Sequence, residues 1–366
     1  MAEAGPKVVV AMSGGVDSST AAALLKEQGC EVVGITLRLP SYEEGSDADP
    51  ACCGVMGIED ARRVAGKIDI PFYVLDFRQE FEQSVIEDFC RAYRSGRTPN
   101  PCVVCNHRVK FGTLLQRARA FGADRVATGH YVKTDAQGNG GRVLLRAGRG
   151  EDDQSYFLFG LSQQQLRHAL FPLGDCTKDE VRQMARDRGL PVHDKPGSQD
   201  LCFLPQGRYR EFLKRRCPEA FEPGPIVHVS GQVLGQHAGM ASYTVGQRHG
   251  LRISHGRPLY VVRLDPGRNA VVVGEKAHVL RTEITVGELN WVAEPPSGPV
   301  PAGVKIRYNH PKAAAEVTPL DGVTARVRFA EPQAAPCPGQ AAVFYCGDVV
   351  LGGGTIEATE EDAARA

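Results

Sequence analysis

The side chains best suited to chemistry in this sequence of 366 residues fall in three short polar segments. Residues 13–19 read SGGVDSS, residues 100–106 read NPCVVCN, and residues 197–203 read GSQDLCF. Paired glycines and clustered hydroxyls suit an anion, whereas cysteines in polar loops suit nucleophilic sulfur chemistry. The sequence therefore predicts a phosphate-binding loop and a thiol site.

The SGGVDSS segment follows an apolar run, KVVVAM, and leads directly into an amphipathic run, STAAALLKEQG. Such a strand-to-helix turn lets backbone N–H groups approach a phosphate, and the helix N-terminus adds its positive dipole end. The segment lacks the Lys-Ser/Thr ending of a Walker loop and the third glycine of a dinucleotide fingerprint. A plain turn with a serine cap is the structural alternative, but the full motif in the first such turn favours phosphate binding.

Residues 91–123 contain seven Lys or Arg and no Asp or Glu. Nearby positive charge and a following helix N-terminus lower a thiol pKa, so we expect thiolate character in this block, which includes Cys102 and Cys105. Half of a zinc site is the alternative, but a structural zinc needs two more ligands and the sequence has no second Cys-x-x-Cys. Cys202, between Leu and Phe, would by itself more often be a core residue.

Composition limits the function classes. Forty-three basic and 43 acidic residues give no formal net charge, which excludes nonspecific polyanion binding by bulk charge. Eleven cysteines are far too few for a disulfide scaffold, and no apolar run approaches the ~20 residues of a membrane span. We therefore expect a cytoplasmic protein with reduced thiols.

Element patterns predict an α/β protein. Apolar and amphipathic runs alternate over residues 7–135, which indicates a doubly wound parallel sheet, and a capping box at Thr177 and Glu180 starts a later helix. After about Gly224, short alternating strands with Gly and Pro indicate two small β modules, the last a β-barrel containing a Pro-rich loop at 294–303. The predicted domains are a catalytic domain with a helical extension (1–216), a central β connector (217–281), a C-terminal β-barrel (282–357) and an acidic tail (358–366).

Eight motifs, taken in order, resemble those of the bacterial and organellar tRNA-specific 2-thiouridylase (MnmA/TrmU) family of the PP-loop ATP pyrophosphatase superfamily, whose fold is adenine nucleotide α-hydrolase-like. They are SGGVDSS, NPCVVCNHRVKFG, ATGHY, DDQSYFLF, GSQDLCF, YTVGQRHGL, KIRYN and PGQAAVFY. The resemblance implies an ATP-dependent sulfurtransferase that adenylates the carbon-2 oxygen of the wobble uridine (position 34) of tRNA. Sulfur then replaces that oxygen, giving 2-thiouridine, AMP and pyrophosphate.

The resemblance also implies roles for individual residues. Cys202 carries a persulfide, and Cys105 frees the sulfur by forming a disulfide with Cys202. Asp17 helps to hold magnesium pyrophosphate. ATP is bound by Ala11, Met12, Ser13, Gly14, Gly15, Val16, Asp17, Ser18, Leu37 and Gly129. The tRNA is bound by Asn100, Pro101, Cys102, His130, Asp152, Asp153, Gln154, Arg307, Tyr308 and Gln340. The implied partners are tRNA and a persulfide donor such as a cysteine desulfurase or a sulfur-relay protein.

Two positions depart from the family pattern. Asp152 stands where relatives commonly have Lys, and Cys102 stands where they often have Asp. Three cysteines, Cys102, Cys105 and Cys202, could then hold a [4Fe-4S] cluster; apart from that variant, the sequence predicts no resident metal ligands. Two other readings stay open: a PP-loop ligase that delivers nitrogen, and a zinc-stabilised tRNA-binding protein without catalysis.

Overall fold

The structure is a computed structural model that describes residues 5–40, 55–135, 141–197, 201–204 and 208–357. The chain divides into two compact units. The first consists of Met1–Ile86, Pro101–Arg208 and Asp348–Val350, and the second consists of Glu87–Asn100, Tyr209–Gly347 and Leu351–Ala366. Within the described residues, no helix combines the length and the apolar character that crossing a membrane requires.

A five-stranded parallel sheet forms the centre of the first unit, with strand order β3-β2-β1-β4-β7. The strands of this unit are β1 Lys7–Ala11, β2 Glu31–Arg38, β3 Phe72–Asp76, β4 Arg125–Ala127, β5 Val132–Asp135, β6 Leu144–Ala147 and β7 Ala169–Leu170. Val8, Val9 and Val10 of the central strand are fully buried, as expected for a parallel sheet covered on both faces. The predicted α/β class and parallel sheet are confirmed.

The α-helices are α1 Val16–Glu27, α2 Val55–Lys67, α3 Arg78–Phe81, α4 Glu87–Arg94, α5 Pro101–Val104, α6 Leu114–Ala118, α7 Gln163–Arg167, α8 Lys178–Asp187 and α9 Tyr209–Arg216. Glu82–Ile86 and Cys105–Thr113 are π-helical. Shorter 3-10 turns cover Arg119–Phe121, Gly150–Asp152, Ser155–Phe157, Pro218–Phe221, Met240–Ser242 and Lys276–Val279. The predicted capping box is present: Thr177 accepts from the Glu180 N–H, and the Glu180 carboxylate accepts from the Thr177 N–H.

The second unit contains two β structures. A four-stranded sheet of order β10-β11-β8-β9 is formed by β8 Gly224–His228, β9 Val233–His237, β10 Tyr260–Asp265 and β11 Ala270–Gly274. A closed six-stranded barrel of order β12-β15-β14-β13-β16-β17 is formed by β12 Leu280–Trp291, β13 Val300–Lys305, β14 Ala313–Pro319, β15 Ala325–Ala334, β16 Ala341–Cys346 and β17 Val349–Ile356. Ala325, Val327 and Phe329 alternate inward along β15, and the predicted barrel is confirmed.

The Pro-rich loop predicted at 294–303 ends earlier in the structure. Strand β13 begins at Val300, so residues 300–303 belong to the barrel and not to the loop. Val300 lies opposite Val317, and Val304 is fully buried in the barrel core. Burial of these valines therefore outweighs the turn preference of the neighbouring prolines.

Candidate functional site

The SGGVDSS segment begins in the tight turn between β1 and α1 and continues into the first turn of α1, which starts at Val16. Gly15 is the N-cap of α1 and has no side chain with which to cap it. The Ser18 hydroxyl accepts the Ser13 N–H at 3.1 Å and lies 3.3 Å from the Ser13 hydroxyl, while the Ser19 hydroxyl donates to the Gly15 carbonyl at 2.8 Å. The serines thus fix the shape of the turn, and the helix N-terminus faces it with its positive dipole end.

Two glycines are required by backbone packing around this turn. Gly14 has a φ of +74°, and a Cβ there would lie 2.1 Å from the Gly57 carbonyl oxygen. Gly129 follows β4, and a Cβ there would lie 2.6 Å from both the carbonyl carbon of Asp17 and the backbone nitrogen of Ser18. The end of β4 therefore packs directly on the start of α1. The adenosine contact of Gly129 stays a prediction.

The remaining predicted ATP residues line the neighbouring strand ends. The Met12 N–H donates to the Ile35 carbonyl at 2.8 Å, and the Thr36 hydroxyl donates to the Met12 carbonyl at 2.7 Å. Leu37 is buried two residues farther along β2 than Ile35. Ala11, Met12 and Leu37 thus lie at the carboxyl ends of adjacent parallel strands, where ligands bind in open α/β sheets.

Asp17 is the centre of a polar cluster in the described part of the first unit. The Tyr131 hydroxyl donates to Asp17 Oδ1 at 2.6 Å, and Lys178 Nζ donates to the same oxygen at 2.6 Å. Lys178 Nζ also lies 5.8 Å from the centre of the Tyr131 ring. Burial, reinforced by the Asp17 carboxylate, raises the pKa of Tyr131, so its hydroxyl stays protonated and keeps donating.

The start of α8 positions Lys178. Thr177 caps the helix, and Asp152 Oδ2 accepts the backbone N–H of Lys178 at 2.9 Å. An acidic side chain is favourable at a helix N-terminus because of the dipole. Asp152 therefore has a structural role in this chain that a lysine at this position could not perform.

A second lysine holds the other side of the turn. Lys195 Nζ donates to the Gly14 carbonyl at 3.1 Å and to Asp60 Oδ2 at 2.7 Å. Asp60 is 8% exposed, and Arg63 also contacts its carboxylate. Burial alone would raise the pKa of Asp60, but hydrogen bonds from Lys195 and Arg63 outweigh it and hold the pKa below its usual value. Asp60 is thus ionised and fixes Lys195 against the turn.

Four residues around the loop were not predicted from the sequence: Lys178, Lys195, Asp60 and Tyr131. Their side chains surround residues 13–19. The available signals were weak: Lys178 directly follows a capping threonine, and Lys195 lies two residues before the GSQDLCF segment. Neither spacing points to a phosphate loop that lies more than 150 residues earlier in the chain.

The thiols differ in their surroundings. Cys102 is exposed, Cys202 is partly buried, and Cys105 is 8% exposed. The expectation of a lowered thiol pKa is wrong for Cys105: burial raises its pKa, and the positive charge of Lys110 opposes this only in part. The helical segment begins at Pro101 and not after the cysteines, so Cys105 lies inside it and away from its N-terminus.

Short helix α3 connects the two cysteine segments. It contacts the π-helical segment Cys105–Thr113, and the Phe81 ring lies edge-on to Phe203 with centroids 5.5 Å apart. Phe203 is 1% exposed and anchors Cys202, its neighbour in the chain. At the other end of the motif, a Cβ on Gly197 would lie 3.9 Å from Lys178 Nζ. The motif therefore starts beside the phosphate loop; its residues Ser198, Gln199 and Asp200 lie outside the described residues, as do Cys52, Cys53 and the predicted acidic tail.

Residues predicted to bind tRNA in the first unit make internal contacts. The Thr128 hydroxyl lies 2.7 Å from His130 Nδ1, and burial, together with the charge of Lys110, lowers the pKa of His130, which is therefore neutral. Gln154 Oε1 accepts the Tyr131 N–H at 3.1 Å. Asp153 is 9% exposed and accepts from the Gly148 N–H and from the N–H and hydroxyl of Ser155. Their tRNA contacts stay predictions, and Asp153 has a structural role. Pro101 is buried at the start of α5.

Residues predicted to bind tRNA in the second unit also have internal partners. The Gln340 amide donates to the Thr98 and Pro99 carbonyls at 3.0 and 3.2 Å, just before Asn100 in the chain. The Arg307 guanidinium donates to the Ala334 and Ala335 carbonyls at 2.5 and 3.2 Å. The Tyr308 ring lies 5.5 Å from Lys305 Nζ. Gln340 therefore supports the segment that leads into NPCVVCN.

Comparison with known proteins gives three family matches along the chain. A tRNA methyl transferase HUP domain matches residues 6–206, a tRNA methyl transferase PRC-barrel domain matches residues 210–275, and an aminomethyltransferase beta-barrel domain matches residues 281–356. Among solved structures, an NMN synthetase from Francisella tularensis aligns with 56% of this chain and 70% of its own, at 17% identity and a TM-score of 0.37.

Curated relatives match over nearly the full length. The tRNA-specific 2-thiouridylase MnmA of Moorella thermoacetica is 51% identical and covers 96% of this chain and 100% of its own. Proteins of the same name from Halothermothrix orenii and Geobacter metallireducens are 46% and 50% identical, each covers 96% of this chain, and 99% and 97% of their own lengths match. The chain therefore belongs to the tRNA-specific 2-thiouridylase (MnmA) family.

Proposed function

We propose that this family member, a tRNA sulfurtransferase, uses ATP to activate the carbon-2 oxygen of the wobble uridine and then replaces that oxygen with sulfur. The observation that carries the proposal is the polar cluster at residues 13–19, in which Asp17 is held by Lys178 and Tyr131 beside the first residue of GSQDLCF. A cysteine motif that starts beside a phosphate loop suits a reaction that joins nucleotide chemistry to sulfur chemistry.

The loop supports cleavage between the α and β phosphates. The uridine carbonyl oxygen attacks the α phosphorus of ATP, pyrophosphate leaves, and the oxygen becomes bonded to AMP. In this proposal, the helix N-terminus and the ammonium groups of Lys178 and Lys195, which contact the loop at Asp17 and Gly14, neutralise the charge that develops on pyrophosphate. The role of the lysines does not require a Walker sequence, because they reach the loop from a distant segment.

Asp17 offers the oxygen ligand that Mg²⁺ prefers, and its side chain is 29% exposed, so the residues present fit a magnesium ion. A bound Mg²⁺ would neutralise charge on the phosphates. The three-thiol [4Fe-4S] variant fits less well, because Cys102 is exposed whereas Cys105 is buried with a raised pKa. We derive no step through a cluster.

Sulfur transfer requires two thiols in this scheme. The terminal sulfur of a Cys202 persulfide attacks carbon 2, and AMP leaves with the former carbonyl oxygen. The Cys105 thiolate then attacks the Sγ of Cys202, which forms a Cys105–Cys202 disulfide and leaves the sulfur on the base. A thiol reductant restores both cysteines, and a donor protein, such as a cysteine desulfurase or a sulfur-relay protein, reloads Cys202. The raised pKa of Cys105 keeps it protonated and unreactive in the resting enzyme.

The substrate in this proposal is the anticodon loop of tRNA. The target base must leave its stack to reach the loop, and the uncharged imidazole of His130 and the segment around Cys102 are the proposed contacts. Arg307, Tyr308 and Gln340 of the barrel are proposed to bind tRNA farther away. The cytoplasm, where tRNA would meet both ATP and a persulfide donor, is the proposed site of action.

The family descriptions favour one other candidate, methyl transfer to tRNA. Methylation consumes a methyl donor and releases no AMP. Two incubations of the protein with tRNA separate the two candidates: one with ATP, Mg²⁺ and a persulfide donor, and one with S-adenosylmethionine. Mass spectrometry of the nucleosides should find 2-thiouridine in the first reaction and no new methylated base in the second. A methylated base without 2-thiouridine would refute the proposal.

A further inference from the structure

The second unit contains a group of potential metal ligands that the proposed function does not use. His228 is the last residue of β8 in the four-stranded sheet. Glu275 directly follows β11, and His255 lies in the loop before β10. One ligand atom from each of these three residues lies within 4.8 Å of the other two. We propose that His228, His255 and Glu275 form a binding site for a divalent transition metal, with zinc as its most fitting occupant.

The distances fit a zinc ion. Bonds of about 2.1 Å in tetrahedral geometry place neighbouring ligand atoms roughly 3.4 Å apart. His228 Nε2 lies 3.4 Å from Glu275 Oε2, so this pair already has that spacing. The rings of His228 and His255 stack with centroids 5.7 Å apart and an angle of 27° between their planes, and His255 is exposed, so its side chain is free of core packing and can turn toward a metal. Two imidazoles and one carboxylate are a ligand set that zinc accepts, with a fourth position left for water.

Neighbouring groups orient these ligands. His228 Nδ1 lies 2.8 Å from the Ser230 hydroxyl and accepts the Ser230 backbone N–H at 3.2 Å, so these contacts fix the orientation of the ring. His278 Nδ1 lies 3.2 Å from Glu275 Oε2 and, among the described residues, makes no hydrogen bond of good geometry. A Cβ on Gly274 would lie 3.0 Å from that nitrogen, so the glycine makes room for the ring. Ser230 thus supports the His228 ligand, and His278 supports the Glu275 ligand.

A bound metal would tie a loop to the sheet. His255 belongs to the segment 248–259, which lines a cavity of about 450 Å³. This segment starts with RHGL, the last four residues of the YTVGQRHGL motif. His228 and Glu275, in contrast, are partly buried at neighbouring parallel strands. The metal would therefore fix this loop and stabilise the second unit without taking part in sulfur transfer. The sequence did not predict the site because its ligands are separated by 27 and 20 residues and form no compact motif.

The test uses the full chain, freed of metal with a chelator and titrated with Zn²⁺ against a chromophoric competitor. Thiols also bind zinc, so wild type is compared with His255→Ala and Glu275→Gln. His249→Ala is the matched control, because His249 is an exposed histidine of the same loop outside the group. Wild type and the control should bind one more equivalent of Zn²⁺ than the two variants, or should bind the last equivalent at least about tenfold more tightly than the variants do. X-ray absorption of the extra equivalent should show nitrogen and oxygen ligands.

Equal zinc stoichiometry and affinity in wild type, His255→Ala and Glu275→Gln would overturn the proposal, as would an extra equivalent with only sulfur ligands. Thermal unfolding provides a second readout that does not depend on catalysis. Zn²⁺ should raise the unfolding temperature of wild type and His249→Ala but not that of His255→Ala. Because His255 is exposed, its replacement should leave the fold intact.

Discussion

Replacing Lys178 with Met tests whether this lysine serves the nucleotide or only the fold. The ammonium group donates to Asp17 at 2.6 Å, and the two side chains are 22% and 29% exposed. Methionine keeps most of the length and the apolar stem of lysine, so it removes the charge with little change in packing. Tyr131 would still donate to Asp17.

The two roles differ in magnitude. Because solvent screens this partly exposed pair, its loss should reduce the free energy of unfolding by only about 1 kcal/mol. For the first unit, which has about 200 residues and contains both side chains, that is a shift of roughly 2–4 °C in the unfolding temperature. If Lys178 neutralises charge on the departing pyrophosphate, turnover should fall about 100-fold or more, as when other preorganised donors are removed.

The assay is tRNA-dependent AMP release, measured beside thermal unfolding. Arg149→Met is the matched control, because Arg149 forms an exposed ion pair with Glu180 on the same helix and contacts neither Asp17 nor the loop in the described structure. The control should retain its turnover, and Lys178→Arg should recover part of the lost activity. A Lys178→Met protein that keeps its full turnover would refute the assignment, as would one whose lost turnover is explained by a fall in unfolding temperature far larger than the small shift expected here.

Four further predictions follow from other contacts. Cys202→Ser and Cys105→Ser should each abolish 2-thiouridine formation from persulfide while Cys202→Ser still consumes ATP, and Cys102→Ser should remain active. An active Cys202→Ser would contradict the two-thiol scheme, as would an inactive Cys102→Ser that lacks iron present in wild type. Because burial raises the pKa of Cys105, the rate of its sulfur-releasing step should increase with pH between about pH 7 and 9, and a flat profile in single-turnover measurements would argue against that role. Asp60→Asn should lower the free energy of unfolding by about 1–3 kcal/mol at neutral pH. Since the pKa of Asp60 is lowered in the folded chain, that difference should be present above the usual carboxyl pKa and vanish as the pH falls through the lowered pKa, as followed by denaturant titration. Gln340→Leu should loosen the Thr98–Pro99 segment and weaken tRNA binding more than Gln333→Leu, whose amide donates to the nearby Glu331 carbonyl. Equal binding by both variants would exclude a special role for Gln340.

Local features of the sequence predicted the fold and the phosphate loop well. Strand β1, the turn and α1 follow one another in the chain, so the apolar run, the two glycines and the amphipathic run that follows are enough to predict them. The capping box at Thr177 is equally local. The barrel was predicted from alternation along single strands, although the start of β13 depended on burial of Val300 and Val304 by partners elsewhere in the barrel.

Features that depend on distant contacts were not predictable in this way. Lys178 and Lys195 reach the loop across 161 and 181 residues, and a single sequence gives no register for such pairs. The pKa of Cys105 was predicted in the wrong direction because the sequence displays the nearby charges but not the burial that outweighs them. An acidic residue beside a phosphate site was unexpected, but Asp152 accepts the backbone N–H of Lys178 at the N-terminus of α8, a contact that the sequence does not reveal.

The fate of the uridine oxygen tests the central claim most directly. We would transcribe the tRNA with uridine carrying heavy oxygen at carbon 2, incubate it with the protein, ATP, Mg²⁺ and a persulfide donor, and analyse AMP and nucleosides by mass spectrometry. Adenylation of that oxygen predicts heavy AMP and 2-thiouridine in equal amounts, with unlabelled pyrophosphate. Unlabelled AMP accompanied by 2-thiouridine, or ADP as the main nucleotide product, would contradict the account.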